Sequence, residues 1–300
     1  MKAYLKEITI SVISILIMGI AVWAYLKSME KEKSLIETDI YTLIPPDMEG
    51  LLAINRPSVF SRMILSKKDL YQSFASKIPS EFLSFTNSGA SFQSFLLSFH
   101  PDGILCYSSA SKQEAGRFEK EILQNSFDSF QPVKRTKEGV EFTYYPVADK
   151  QFFGFYIYNG VWVGSFSRKL LEAAANQQFK NTPSLPEEVE RVRASFDKNA
   201  PLNILFPTKE MNLYVERENL PAWRITDKWL SADMFLSDGN FCCYGFLPYQ
   251  AQSTPSWYVA MGDTLSKRIN NLFPSIHLSF QINKADDKVY LTGCTPMGEE

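Results

Sequence analysis

Histidine and glycine are scarce in this chain, and its cysteines are badly placed to hold a metal. Only His100 and His277 occur in 300 residues, and Cys106, Cys242, Cys243 and Cys294 form no C-x-x-C pair. A structural zinc centre is therefore not expected. Glycine is 14 of 300, about 5%, against a usual share of about 7%. Neither G-x-G-x-x-G nor G-x-x-x-x-G-K-[ST] is present, so loops that cradle phosphate are poorly supplied. H-E-x-x-H and G-x-S-x-G are missing too. No cofactor is expected. Charge of one sign is also lacking: 31 Lys+Arg stand against 33 Asp+Glu, a formal −2. A nucleic-acid surface needs a clear basic excess, so no nucleic-acid partner is expected. The hydrophobic share is 45%, ordinary for a globular chain, which excludes a disordered, collagen-like or polytopic membrane protein.

One long apolar run is present. Residues 8–26 carry no charge, with Lys2 and Lys6 before them and Lys27 after. At about 1.5 Å per residue this run reaches roughly 28 Å, close to the thickness of a bilayer core. Tyr4, Trp23 and Tyr25 sit near its ends, where amphipathic rings favour headgroups. The rival reading is a cleavable signal peptide ending at Val22-Trp23-Ala24, but the run is long for one and Trp23 is bulky. The expectation is a retained single-pass anchor (residues 1–27) and a stem or linker (28–43). An α+β globular domain follows (44–300), with a possible sub-boundary near 180–186. Positive groups balance across the run, so charge does not orient it. A short tail before a single anchor is expected to stay in the cytoplasm, placing the domain in the periplasm of a bacterial inner membrane.

Beyond residue 33 the chain has 26 basic and 30 acidic residues and no long block of either sign. A chain of this size does not need staples. The cysteines read as buried free thiols, with one disulfide open in an oxidising compartment.

Ile44-Pro45-Pro46-Asp47 breaks the chain and opens the folded part. A buried strand is expected over 50–55, a helix over 57–75, strands flanking Pro101-Asp102-Gly103, and a helix over 112–127. The clearest feature is a hairpin over 151–166 around Asn159-Gly160, the preferred type I′ pair. A two-residue loop pairs Tyr158 with Val161, Ile157 with Trp162 and Phe155 with Gly164. Phe153, Phe155, Ile157, Trp162, Gly164 and Phe166 then form a core face, with Gly164 leaving room for the Phe155 ring. Ser167 caps a helix over 168–178 with Leu170, Leu171 and Ala174 inward. Later strands are expected at 202–206, 212–216, 230–236, 241–247, 277–283 and 289–295, and helices at 187–196 and 263–273. Strands arriving as hairpins favour α+β with mostly antiparallel sheet. A faint echo links Ile54-Asn55-Arg56 to Ile282-Asn283-Lys284, and coincidence explains it better.

At Ile44-Pro45-Pro46-Asp47, at Asn55-Arg56-Pro57 and through Gly160-Val161-Trp162-Val163-Gly164-Ser165, the chain resembles membrane-anchored envelope proteins of unknown function found in Bacteroidetes. Those proteins open an exported domain with a Pro-rich step and repeat sheet-and-helix units. The resemblance covers residues 44–179. It implies an envelope location, an α+β fold and a single unit in this chain. It brings no catalytic residue.

Candidate chemistry is thin. His100 and His277 read as turn and strand-end residues, and Cys106 beside His100 lacks the spatial evidence a nucleophile needs. Asp47, Asp286 and Asp287 read as solvated turn carboxylates. Tyr156 and Tyr158 are weak ligand-binding candidates for a sugar or partner, although burial under the following helix is favoured. The expectation is a non-enzymatic protein held at the membrane by its N-terminal helix, binding a protein partner or supporting an envelope assembly. The alternatives are an envelope hydrolase with a scattered site, or a module for a glycan or hydrophobic ligand.

Overall fold

The computed structural model describes residues 17–27, 39–65, 68–87, 92–127, 131–147, 151–180, 185–194, 196–207, 229–237, 240–248, 281–285 and 288–296. A helix α1 spans 17–27. The domain strands are β1 Gly50–Ile54, β2 Phe95–His100, β3 Gly103–Ser109, β4 Val133–Lys137, β5 Val140–Pro146, β6 Phe152–Tyr158 and β7 Val161–Ser165. Then come β8 Leu202–Pro207, β9 Trp229–Ser237, β10 Asn240–Pro248, β11 Gln281–Ala285 and β12 Lys288–Pro296. Among the described residues they make one sheet, ordered β11-β12-β10-β9-β8-β1-β2-β3-β7-β6-β5-β4. Every pairing is antiparallel. The α+β class with antiparallel sheet is what the hairpin-rich sequence implies.

Helices cover both faces. On one lie α2 Pro57–Leu65, α3 Lys68–Ala75, α4 Ser80–Thr86 and α5 Lys112–Phe118. The last runs through a π-helical segment Glu119–Leu123 into α6 Gln124–Ser126. The other face is covered by a 3-10 turn Ile40–Leu43, by α7 Arg168–Gln177 and by α8 Glu187–Arg193. Alternation along each strand divides its side chains between the two cores. Phe153, Phe155 and Trp162 enter the first, while Tyr156, Val161 and Val163 enter the second. Trp162 is central to the first core, with Phe118 at 5.2 Å and Phe92 at 5.5 Å between ring centroids. Ser167 caps α7 by accepting from the Leu170 N–H, and Ser111 with Glu114 forms a capping box on α5, each worth on the order of 1 kcal/mol.

The sheet is built from two halves of matching topology. Outward from the β1–β8 pair, one half runs β1-β2-β3-β7-β6, extended at its edge by β5 and β4, and the other runs β8-β9-β10-β12-β11. The registers match as well. Leu52, Leu97, Cys106 and Gly164 form a row across the first half. Leu202, Met234, Cys243 and Gly293 form the corresponding row across the second. Both rows hold aliphatic, aliphatic, Cys and Gly, and Tyr107 and Tyr244 follow the two cysteines. This corrects the single unit implied by resemblance. It also places Ile54 and Ile282 on strands, β1 and β11, that do not correspond.

Several details depart from expectation. The helix over 57–75 is two helices: the Phe60 and Phe74 rings touch at 5.2 Å, whereas 14 residues of straight helix would separate them by about 21 Å. The β4–β5 hairpin turns on Glu138 and Gly139, both at positive φ, a conformation glutamate rarely adopts and therefore hard to foresee. Gly164 makes room, but for different rings: a Cβ there would lie 2.5 Å from Trp162 Cη2 and 2.9 Å from Phe153 Cζ. The expected anchor over 8–26 is only partly described. Eleven residues of helix α1 are described, and among the described residues no helix is long and apolar enough to cross a membrane. Residues 8–16, the strand over 212–216, the helix over 263–273 and the 286–287 turn lie outside the described residues.

Candidate functional site

His100 ends β2, and its side chain is wholly enclosed. Its Nδ1 lies 2.9 Å from Asp47 Oδ1, and its Nε2 lies 2.8 Å from Ser98 Oγ. A carboxylate only accepts, so Nδ1 carries the proton and Nε2 accepts from the serine hydroxyl. On the neighbouring strand the Tyr107 hydroxyl donates to the Leu43 carbonyl at 3.5 Å. Burial holds the His100 pKa below its ordinary 6.5, even though the Asp47 hydrogen bond pulls the other way. Burial also raises the Tyr107 phenol and the Cys106 thiol.

Serine, imidazole and carboxylate in this order match a hydrolase relay by distance. The surroundings do not match. Ser98 is 0% exposed, and a nucleophile must meet its substrate. The relay instead ties residues 39–49 to the sheet. That segment also buries Leu43, Ile44 and Met48 and is pinned by Arg193, 4.2 Å above the Tyr41 ring and 3.3 Å from Asp39. Burial of Tyr41 raises its pKa to about 12, with Arg193 opposing.

Beside His100 opens a cleft of about 960 Å³. It lies at the end of the sheet where β2 turns into β3, β7 leads into α7 and β5 leads to β6. Phe99, Ile104 and Phe166 line it, together with Phe82 of α4 and with Val133, Tyr144 and Phe152. Val133 and Phe152 are 47% and 50% exposed, two of the few large apolar side chains left open among the described residues of the domain. Both signs of charge are present: Lys77, Arg135 and Arg168 against Glu49, Glu81 and Asp102. Arg168 is engaged with Glu172 at 2.7 Å and Asp102 with Lys169 at 2.6 Å. The cleft can hold an apolar group flanked by polar ones.

Tyr156 is fully buried beneath α7, its hydroxyl accepting from Gln178 Nε2 at 3.1 Å. Tyr158 is half-buried, with its ring 6.1 Å from Phe179. The structure therefore does not bring the two together on an open surface. Cys106 is buried in the helix-covered first core while His100 belongs to the other face. His277, Asp286 and Asp287 lie outside the described residues. Among the described residues no group of three or more His, Cys, Asp or Glu could hold a metal. Cys242 and Cys294, opposite each other on β10 and β12, form a disulfide, and Cys106 and Cys243 are free and buried. Sequence reading missed the relay. Ser98 and His100, two apart in a strand, share a face and could have been noticed, but Asp47 is 53 residues away from His100.

No protein-family model and no curated protein sequence matches the chain. Among solved structures the chain is similar to crystal form I of TP0453, with 10% identity, a TM-score of 0.47 and coverage of 87% of this chain and 94% of that one. Crystal form III gives 11%, 0.46, 87% and 95%, and crystal form IV gives 8%, 0.45, 86% and 93%.

Proposed function

We propose that this is a non-enzymatic binding protein, tethered to a bacterial inner membrane by its N-terminal helix and holding its α+β domain on the periplasmic side. The cleft receives an apolar segment of a protein partner. The observation that carries the reading is the cleft itself, where Val133 and Phe152 stand open among charges of both signs.

Two further observations support the tether. The large apolar side chains of α1 are all between 53% and 67% exposed, a surface that water disfavours and lipid accepts. The Cys242–Cys294 disulfide suits an oxidising compartment. The Ser98–His100–Asp47 geometry is what would favour a hydrolase, and the complete burial of Ser98 weighs against it.

Site-specific photo-crosslinking in intact cells tests the cleft. A photoreactive residue at Phe152 is expected to give one reproducible adduct, and one at the similarly exposed Phe179 none. Absence of an adduct at 152, or the same adducts at both positions, would overturn the assignment.

A further inference from the structure

One edge of the sheet is open beside the cleft. Among the described residues β4 is the last strand in the order and pairs with β5 alone. All five of its residues, Val133 to Lys137, are exposed. It joins β5 through the two-residue turn Glu138-Gly139. Residues flanking such a turn form a hydrogen-bonded pair, so Lys137 and Val140 turn their backbone N–H and C=O groups to each other. By alternation Arg135 and Val133 also bond to β5, while Lys134 and Thr136 direct their backbone groups away from it. A free edge of this kind is a template for another strand.

We propose that β4 receives an extended, acidic segment of the protein partner, added antiparallel to this edge as one more strand. The proposal rests on the reading of the cleft as the partner's seat, and it supplies the partner's charge and backbone form. β4 carries Lys134, Arg135 and Lys137 and no acidic residue, Glu138 belonging to the turn. Lys134 meets Glu141 at 3.0 Å and Lys137 meets Glu172 at 2.9 Å. Arg135 makes no ion pair among the described residues. Val133 and Arg135 share one face of β4 and both line the cleft. An added strand therefore sets an apolar side chain beside Val133 and, two residues away on the same face, a carboxylate beside Arg135.

A second copy of this chain is the wrong occupant. Two β4 strands joined antiparallel through their outward groups can centre on Lys134, Arg135 or Thr136. These registers set Lys134 against Lys134, Arg135 against Arg135, or Arg135 against Lys137. Like charges directly opposite each other are destabilising. Basic side chains on this edge thus deter copies of the chain and admit an acidic strand.

Fluorescence anisotropy with the full chain in detergent micelles tests this, using the labelled peptide Thr-Glu-Thr-Glu-Thr-Val-Thr and its counterpart with Lys in place of Glu. Paired antiparallel, the first sets its two Glu beside Lys137 and Arg135 and its Val beside Val133. It is expected to bind about tenfold more tightly than the second. Thr136→Pro removes an outward N–H and leaves the ladder with β5 intact, and should weaken the acidic peptide about fivefold, the worth of one backbone hydrogen bond. Should that variant fail to fold, Arg135→Glu gives the second reading and should cut the preference for the acidic peptide about fivefold. No binding of the acidic peptide, equal binding of both, unchanged affinity in Thr136→Pro or an unchanged preference in Arg135→Glu would overturn the strand addition. A cellular adduct at residue 152 that persists beside such a failure leaves the cleft reading standing, whereas peptide binding without that adduct overturns the cleft reading alone.

Discussion

Cys106 and Cys243 occupy the same position in the two halves of one sheet, each directly across the ladder from a glycine, Gly164 and Gly293. Both thiols are buried and free, and burial raises the Cys243 pKa to about 12. A thiol that stays protonated inside a core is inert.

This gives a labelling prediction. A thiol reagent should modify no cysteine in the native protein, two after denaturation, and four after denaturation with reduction. Any native labelling would contradict the described burial. Breaking the disulfide with Cys294→Ala should cost up to about 4 kcal/mol, the loop-closure entropy for a separation of 52 residues. Chemical denaturation of both forms measures it.

Two glycines separate packing from propensity. Gly164→Ala drives a methyl group into the Trp162 and Phe153 rings, both wholly buried, and should destabilise by about 1–3 kcal/mol or more. Gly116→Ala in α5 meets nothing within 4 Å and should stabilise by roughly 0.5–1 kcal/mol. Thermal melts that ranked the two the other way would contradict the packing described.

The contrast also shows what the sequence could and could not reveal. The Asn159-Gly160 turn, the register through Phe155 and Gly164, the two hairpin faces and the Ser167 cap were all legible, because each depends on residues close in sequence. The paired halves were not, because equivalence lies in register and topology, where Leu52 matches Leu202 and Cys106 matches Cys243. The same holds for the site. His100 looks like a turn residue until the fold brings Asp47 to it, and the cleft draws its walls from α4, β4, β5, β6 and α7 at once.

His100 also predicts how acid acts on global stability. Its folded pKa is below 6.5, so the unfolded chain takes the proton first as pH falls. The stabilisation is present above about pH 6.5 and is lost as pH drops through that value toward the folded pKa, at up to about 1.4 kcal/mol per pH unit. His100→Asn should flatten this slope. Asp233, raised by burial, acts with the opposite sign, and comparing wild type with His100→Asn cancels its contribution. Denaturation midpoints between pH 5 and 7.5 that ran parallel in wild type and variant would contradict it.

The account rests most heavily on the tether. Membranes from cells making the full chain should be washed with alkaline carbonate, and the N-terminus of the retained protein determined by mass spectrometry. Retention in the membrane pellet with residues 8–26 intact is the predicted result. Recovery in the soluble fraction, or a mature chain beginning beyond Ala24, would contradict it.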